Sequence, residues 1–159
     1  MEKQLSFVKT AGNEVVAEKL RAMNRNQRHA VLATVSDGRP YTSLIAFAMT
    51  PDMTEVVFAT PRDTAKYRNI LNNPKVALLI DTRANTDAAY MKAEAVTIIG
   101  TAKPVRRGSK RESLAILLTK KHRALRKFVR EKSTAIVVVN AEKCFHVGSF
   151  QKVSEWLIR

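Results

Sequence analysis

Hydrophobic and polar positions along this chain switch several times between a period of two and a period near 3.6 residues. In GNEVVAEKLRAMNRN (12–26), Val15, Val16, Leu20 and Met23 recur at helical spacing, with Asn13 suited to cap the helix. HAVLATV (29–35) reads as a strand, SDGRP (36–40) holds the Asp-Gly of a tight hairpin turn, and YTSLIAFAM (41–49) returns beside it. A Pro-Asp turn leads to EVVFAT (55–60), which completes a three-stranded meander. A helix is predicted over 61–72, because Pro61 suits a first helical position and Asn72, Asn73 and Pro74 suit an end. KVALLID (75–81) is a strand, 82–92 a polar loop, and AEAVTIIGTAKPV (93–105) a long strand in which Gly100 marks a bulge or bend. A second helix is expected over 110–131, broken near His122, with Leu114, Leu117, Leu118, Leu125, Phe128 and Val129 as its apolar stripe. TAIVVVN (134–140), a turn at 141–143, CFHVGSF (144–150) and a further strand near 152–158 finish the pattern. These elements describe one α+β domain over 1–159, with six or seven antiparallel strands closing into a barrel and two or three peripheral helices.

Composition narrows the partners more than the fold. The chain has 159 residues, 45% of them apolar, enough for a real core. No apolar run approaches the roughly 20 residues of a membrane span, and the first sixteen residues lack the pattern of a secretory leader. The lone cysteine, Cys144, excludes an internal disulfide and suits a reducing, cytoplasmic setting. A net charge of +14 favours anionic partners, and residues 107–132 hold ten Lys or Arg against Glu112 and Glu131.

The segment FATPRDTAKYRNI (58–70) is the candidate for chemistry. A strand hands over to a helix there, and a helix N-terminus presents unpaired N–H groups and partial positive charge. Thr60 and Thr64 add hydroxyls, and Arg62 and Lys66 add full charges within reach of one oxyanion. A phosphate dianion suits this set; alternatively Thr64 only caps the helix and the cations face water.

Three stretches, HAVLATVSDGRPYTSLIAFAM, VVFATPRDTAKYRNILNNPKVALLI and EAVTIIGTAKPV, in that order, resemble the FMN-binding split β-barrel superfamily of pyridoxamine 5′-phosphate oxidase over roughly 28–150. KYRNILNNPKVALLI is the most specific part. The resemblance implies FMN as cofactor, a homodimer with flavin sites at its interface, and redox chemistry on a small organic substrate. It places Ser43, Leu44, Ile45 and Ala46 on the strand facing the isoalloxazine ring, Ala59 and Thr60 near the ring and ribityl chain, and Thr64, Lys66 and Arg62 at the phosphate. The chain departs from the oxidase at Ser43, Ala48 and Ala65, which replace cations, and at Ala95, which replaces a glutamine. No Arg-x-His motif follows residue 150. Oxidation of vitamin B6 phosphates is therefore not implied.

Other features stay open at this level. FHVGSFQKVSEWLIR resembles the ending of relatives that include haem-utilisation proteins, so His146 is either a haem ligand or a hydrogen-bonded structural residue. Trp156 either packs the barrel rim or approaches a partner's flavin. The basic helix reads as a solvated outer face, as a nucleic-acid or membrane-surface binder, or as a groove for a larger phosphorylated cofactor such as a deazaflavin with its acidic tail. Its aromatic residues do not alternate with the charges, which speaks against a base-stacking platform, so neither nucleic acid nor membrane is expected as a partner. No histidine has metal-ligand spacing, and no Ser-His-Asp or Cys-His set suggests hydrolysis.

Overall fold

In the computed structural model, which describes residues 13–148 and 153–158, the helix α1 (Asn13–Asn26) precedes β1 (His29–Ser36), β2 (Arg39–Met49) and β3 (Glu55–Pro61). Helix α2 (Ala65–Asn72), β4 (Lys75–Asp81), β5 (Ala95–Pro104), α3 (Ser109–Lys121), β6 (Thr134–Val147) and β7 (Val153–Leu157) follow. The strands run β3-β2-β1-β4-β5-β6-β7, and β3 also pairs with β6, so the first six strands close a barrel and β7 adds to the outer edge of β6. The β1–β2 turn has positive φ at Asp37 (52°) and Gly38 (73°), the two left-handed residues that match the twist of a two-residue hairpin.

Closure explains why some strands alternate and others do not. β1 and β4 face the interior on one side only, and their buried residues alternate: Ala30, Leu32 and Thr34; Val76, Leu78 and Ile80. β6 is buried almost continuously from Thr134 to Val139, because α3 covers its outer face as the barrel core covers its inner one. Leu114, Leu118 and Val129 sit there on Ala48, Val57, Ile136 and Val138. At the barrel end, Val16, Leu20 and Met23 of α1 join the main core, with Trp156 and Ile158 packed against it. Trp156 thus packs at the barrel rim.

Three expectations are corrected. Pro61 does not open a helix; it is the last residue of β3, opposite Thr134, and the Arg62 amide continues the pairing by donating to Ser133. The helix starts four residues later, where Thr64 is extended (φ −86°, ψ 152°) and its hydroxyl caps the Tyr67 amide. No turn interrupts 141–143: β6 runs through it, because Ala141 to Val147 remain paired with β5 beyond the bulge at Gly100. Finally, β2 begins at Arg39 rather than at 41. The break near His122 is present; α3 stops there and two short 3₁₀ turns, at 123–125 and 128–130, carry the chain to β6. The stretch 149–150 of the expected 144–150 strand lies outside the described residues.

Lys121 and His122 fasten the end of α3 to the barrel. The His122 imidazole Nε2 donates to the Phe47 carbonyl at 2.8 Å, and burial lowers its pKa. Lys121 Nζ lies 3.8 Å from the centre of the Phe47 ring and donates to Asn24 Oδ1 at 3.3 Å. Burial, with the nearby Arg28 charge, lowers its pKa from 10.5 to about 8.

Two predictions follow from these contacts. A methyl group at Gly100 would lie 2.3 Å from the Asn140 carbonyl oxygen and 2.9 Å from Val139 Cγ1. Gly100→Ala is therefore expected to lose about 2 kcal/mol of stability or more in urea denaturation, as overpacked sites do; an unchanged midpoint would refute the close approach. Between about pH 8 and the ordinary lysine range the unfolded chain holds the Lys121 proton and the folded chain has released it, so stability rises with pH through that window. Lys121→Met should shrink the gain in urea midpoint between about pH 7.5 and about pH 9.5; an identical gain in the variant would show that Lys121 keeps its proton.

Candidate functional site

The barrel is incompletely zipped. β2 pairs with β1 along residues 39–46, but with β3 only through Phe47–Met49, opposite Phe58–Val56. The backbone of 41–46 on one strand and of Ala59, Thr60 and Pro61 on the other thus lies beyond the shared ladder, and β3 is held there by β6 alone. Helix α2 follows β3 and packs mainly against β1, with Tyr67, Asn69 and Ile70 buried. Asn69 Nδ2 donates to Thr34 Oγ1 of β1 at 3.0 Å, a buried polar contact that fixes the helix against the barrel wall.

Residues expected on β2 split between two faces. Ile45 is 4% exposed and belongs to the core, so only its backbone is free to meet a ligand. Ser43 shares the inward face, and its hydroxyl is buried without a hydrogen-bond partner. Leu44 and Ala46 point outward: Leu44 is 64% exposed beside Val31 and Leu79, whereas Ala46 lines a hollow of about 500 Å³ with Arg28, His29 and Lys121.

The 59–66 segment is tightly organised. Thr60 is 2% exposed, and its hydroxyl lies 3.0 Å from that of Thr64. Thr64 Oγ1 donates to the Pro61 carbonyl at 2.9 Å and accepts from the Tyr67 amide at 3.4 Å. Both hydroxyls therefore shape the strand-to-helix corner, and the groups left for an anion are the first backbone N–H groups of α2 and the Lys66 ammonium. Lys66 makes no hydrogen bond or ion pair with the described residues. Ala59 lies half-buried against the cluster under α3.

Arg62 is drawn elsewhere. Its guanidinium donates to Tyr67 Oη at 3.2 Å, to the Lys132 carbonyl at 3.3 Å and to the Thr134 carbonyl at 3.4 Å, and it borders a cleft on the far side of the corner. Arg62 is thus engaged by the chain itself, and none of these bonds joins it to Lys66. The sequence signal was a spacing of four, which assumes a helix already formed at Arg62; that residue precedes the helix.

The reading of residues in isolation missed a polar cluster at β6. His146 is 7% exposed, with Nε2 at 3.7 Å from Glu94 Oε2, and Glu94 accepts from Lys19 Nζ at 2.9 Å. The Lys19 hydrogen bond, first among several causes, lowers the Glu94 pKa, and desolvation lowers that of His146. These groups come from α1, the loop before β5 and β6, a convergence that no linear spacing encodes. Among the described residues, no group of three metal-ligating side chains comes together, and no helix is long and apolar enough to cross a membrane.

Comparison with known proteins bears on this geometry. Solved structures with the same fold include a haem-binding protein from Mycobacterium smegmatis (16% identity, TM-score 0.79, covering 89% of this chain and 57% of that one). General Stress Protein 26 from Bacillus anthracis (16% identity, TM-score 0.67, 90% and 98% covered) and an FAD-binding protein from Mesorhizobium loti (13%, 0.65, 82% and 92%) are further examples. The chain thus spans little more than half of the mycobacterial protein, and at these identities the likeness is one of fold. No curated protein sequence matches it significantly. The sequence profile of pyridoxamine 5′-phosphate oxidase matches residues 16–148, which span β1 to β6 together with the notch between β2 and β3, and the chain therefore belongs to the pyridoxamine 5′-phosphate oxidase-like split-barrel superfamily.

Proposed function

We propose that the chain binds FMN at the notch between β2 and β3 and uses it for redox chemistry on a small organic substrate. The observation that carries this reading is the combination near the start of α2: backbone beyond the β2–β3 ladder, a buried Ser43 hydroxyl and a Lys66 ammonium, neither with a partner among the described residues. Each is a polar group whose hydrogen-bonding capacity the chain leaves unused, and a ligand with a polar ring edge and a terminal phosphate uses all three. Bound FMN would supply the hydride or electron transfer itself. Lys66 and the N–H groups of Ala65 and Lys66 would hold the phosphate, while Thr60 and Thr64 keep the corner in shape by bonding each other and the Pro61 carbonyl. The Ser43 hydroxyl and backbone of 43–46, with Ala59 at the end of β3, would orient the ring. No acid–base side chain is assigned, since Ala48, Ala65 and Ala95 carry no proton to move.

A homodimer belongs to this proposal. The outer faces of β2, β1, β4 and β5 align small and apolar residues in rows, Leu44–Val31–Leu79–Thr97 and Thr42–Ala33–Ala77–Ile99. Leu44 and Ile99 are exposed, at 64% and 37%, as a surface awaiting a second copy would require. Haem is the second reading. Family membership is compatible with it, the mycobacterial neighbour binds haem, and His146 Nε2 has no hydrogen-bond partner. Against it, the imidazole is buried within the β5–β6–β7 sheet beside Glu94.

The test is a titration of the purified chain with FMN, followed by quenching of flavin fluorescence, in parallel with haemin followed by its absorption band. FMN is expected to bind, and Lys66→Ala to weaken it by about tenfold or more, the loss of one charge-assisted contact. Haemin binding abolished by His146→Ala, with FMN showing no saturable binding, would replace the flavin reading with the haem one.

A further inference from the structure

The cleft beside Arg62 has an unusual electrostatic make-up. It measures about 460 Å³ and is lined by six cationic side chains: Arg62, Arg106, Arg107, Arg111, Arg130 and Lys132. Two carboxylates, Glu112 and Glu131, also line it, yet neither forms an ion pair with any of the six. Four positive charges are left in excess. Guanidinium groups cannot relieve such crowding by losing a proton, because their pKa lies far above any working pH. Water, counter-ions or a bound anion can, and the anion most strongly where the cations are held in place.

Two of the cations are held in place by the fold. Arg62 is tied to Tyr67 Oη and to the carbonyls of Lys132 and Thr134, and Arg111 Nη2 donates to the Val129 carbonyl at 3.2 Å. Their forks are thus ordered before any ligand arrives, which lowers the entropic cost of binding. The neutral groups around them point the same way. Gly108, at φ 93°, precedes α3 and offers no side chain to cap it, so the first N–H groups of a thirteen-residue helix open beside the cleft. Thr134, on the cleft wall, is 1% exposed, and its hydroxyl has no hydrogen-bond partner.

An adjoining hollow of about 430 Å³ shares Arg111, Glu112 and Arg130 and adds Arg126 to the rim. Its floor includes Ala115, Ile116 and Val129, and Ile116 is 65% exposed. A cationic compartment thus opens onto a partly apolar one of similar size. Both fall within the range of small-molecule sites. Neither is lined by an aromatic residue, so stacking of successive bases, on which single-stranded nucleic acids depend, has no platform here.

We propose that this cleft is a second anion site, for an oligophosphate group of three or four negative charges, free or carried on a small organic moiety that the adjoining hollow accepts. The site is separate from the flavin notch: Thr60, Thr64 and Lys66 do not line it. It does not depend on the flavin reading.

The experiment uses the full chain and calorimetric titration at constant ionic strength with orthophosphate, tripolyphosphate and ATP, and the variant Arg107→Ser/Arg130→Ser. Both residues are exposed, and neither side chain makes a hydrogen bond or ion pair with the described residues, so the fold is expected to persist, which a thermal melt checks. Tripolyphosphate should bind about tenfold or more tightly than orthophosphate, and the double variant should weaken it by a similar factor. ATP tighter than tripolyphosphate identifies a carried oligophosphate, and equal affinity a free one. FMN titrated into the same variant should bind as it does to the parent chain, which separates this site from the notch. Three results overturn the proposal: no saturable binding of tripolyphosphate, binding that the double variant leaves unchanged, or a single-stranded oligonucleotide displacing tripolyphosphate with higher affinity in a steeply salt-dependent manner.

Discussion

The pairing of β3 with β6 is the constraint on which the rest of this structure depends. Every residue of β3, from Glu55 to Pro61, is matched to a residue of β6, whereas only three are matched to β2. That imbalance closes the cylinder on one side and leaves it parted on the other. A fully zipped barrel would have no free backbone between its strands. Here the strand that closes the barrel is also the one that leaves a notch.

Polar groups then sort themselves by whether the fold uses them. The hydroxyls of Thr60 and Thr64 serve the corner, Asn69 serves the seat of α2, and His122 serves the end of α3. Ser43, Lys66 and Thr134 are left over. Buried hydroxyls without a partner are costly. Those of Ser43 and Thr134 lie at the notch and at the cationic cleft, where a ligand is proposed to supply the missing partner.

The positive charge is unevenly employed. Some cations of the 107–132 segment are a solvated rim over the packed face of α3, as the apolar stripe of Leu114, Leu118 and Val129 implies. Others are gathered by tertiary structure: Arg107, Arg111, Arg130 and Lys132 meet Arg62 from the other side of the β3–β6 junction. One stretch of sequence therefore has two electrostatic fates. The 3₁₀ turns after the break at His122 bring Arg130 and Lys132 back beside Arg107 and Arg111 at the start of α3.

Much of the fold was legible in the chain itself. Alternation in β1 and β4, the Asp-Gly turn, the Gly100 bulge and the apolar stripe of α3 are local patterns, and local patterns survive into the structure because each reports a single face or a single backbone angle. The ordered series from His29 to Val105 likewise carried the family. What the letters did not determine depended on partners far away in the chain. Pro61 is compatible with either a helix start or a strand end, and pairing with Thr134 decided for the strand. The run 141–143 resembles a turn, and continued pairing with β5 kept it extended. Arg62 and Lys66 stand four apart, as neighbours on a helix would, yet the helix begins between them and Arg62 is held by Tyr67 Oη and by carbonyls next to β6. Spacing encodes a shared face only where the element that gives it meaning is formed, and in this chain that was settled by long-range strand pairing.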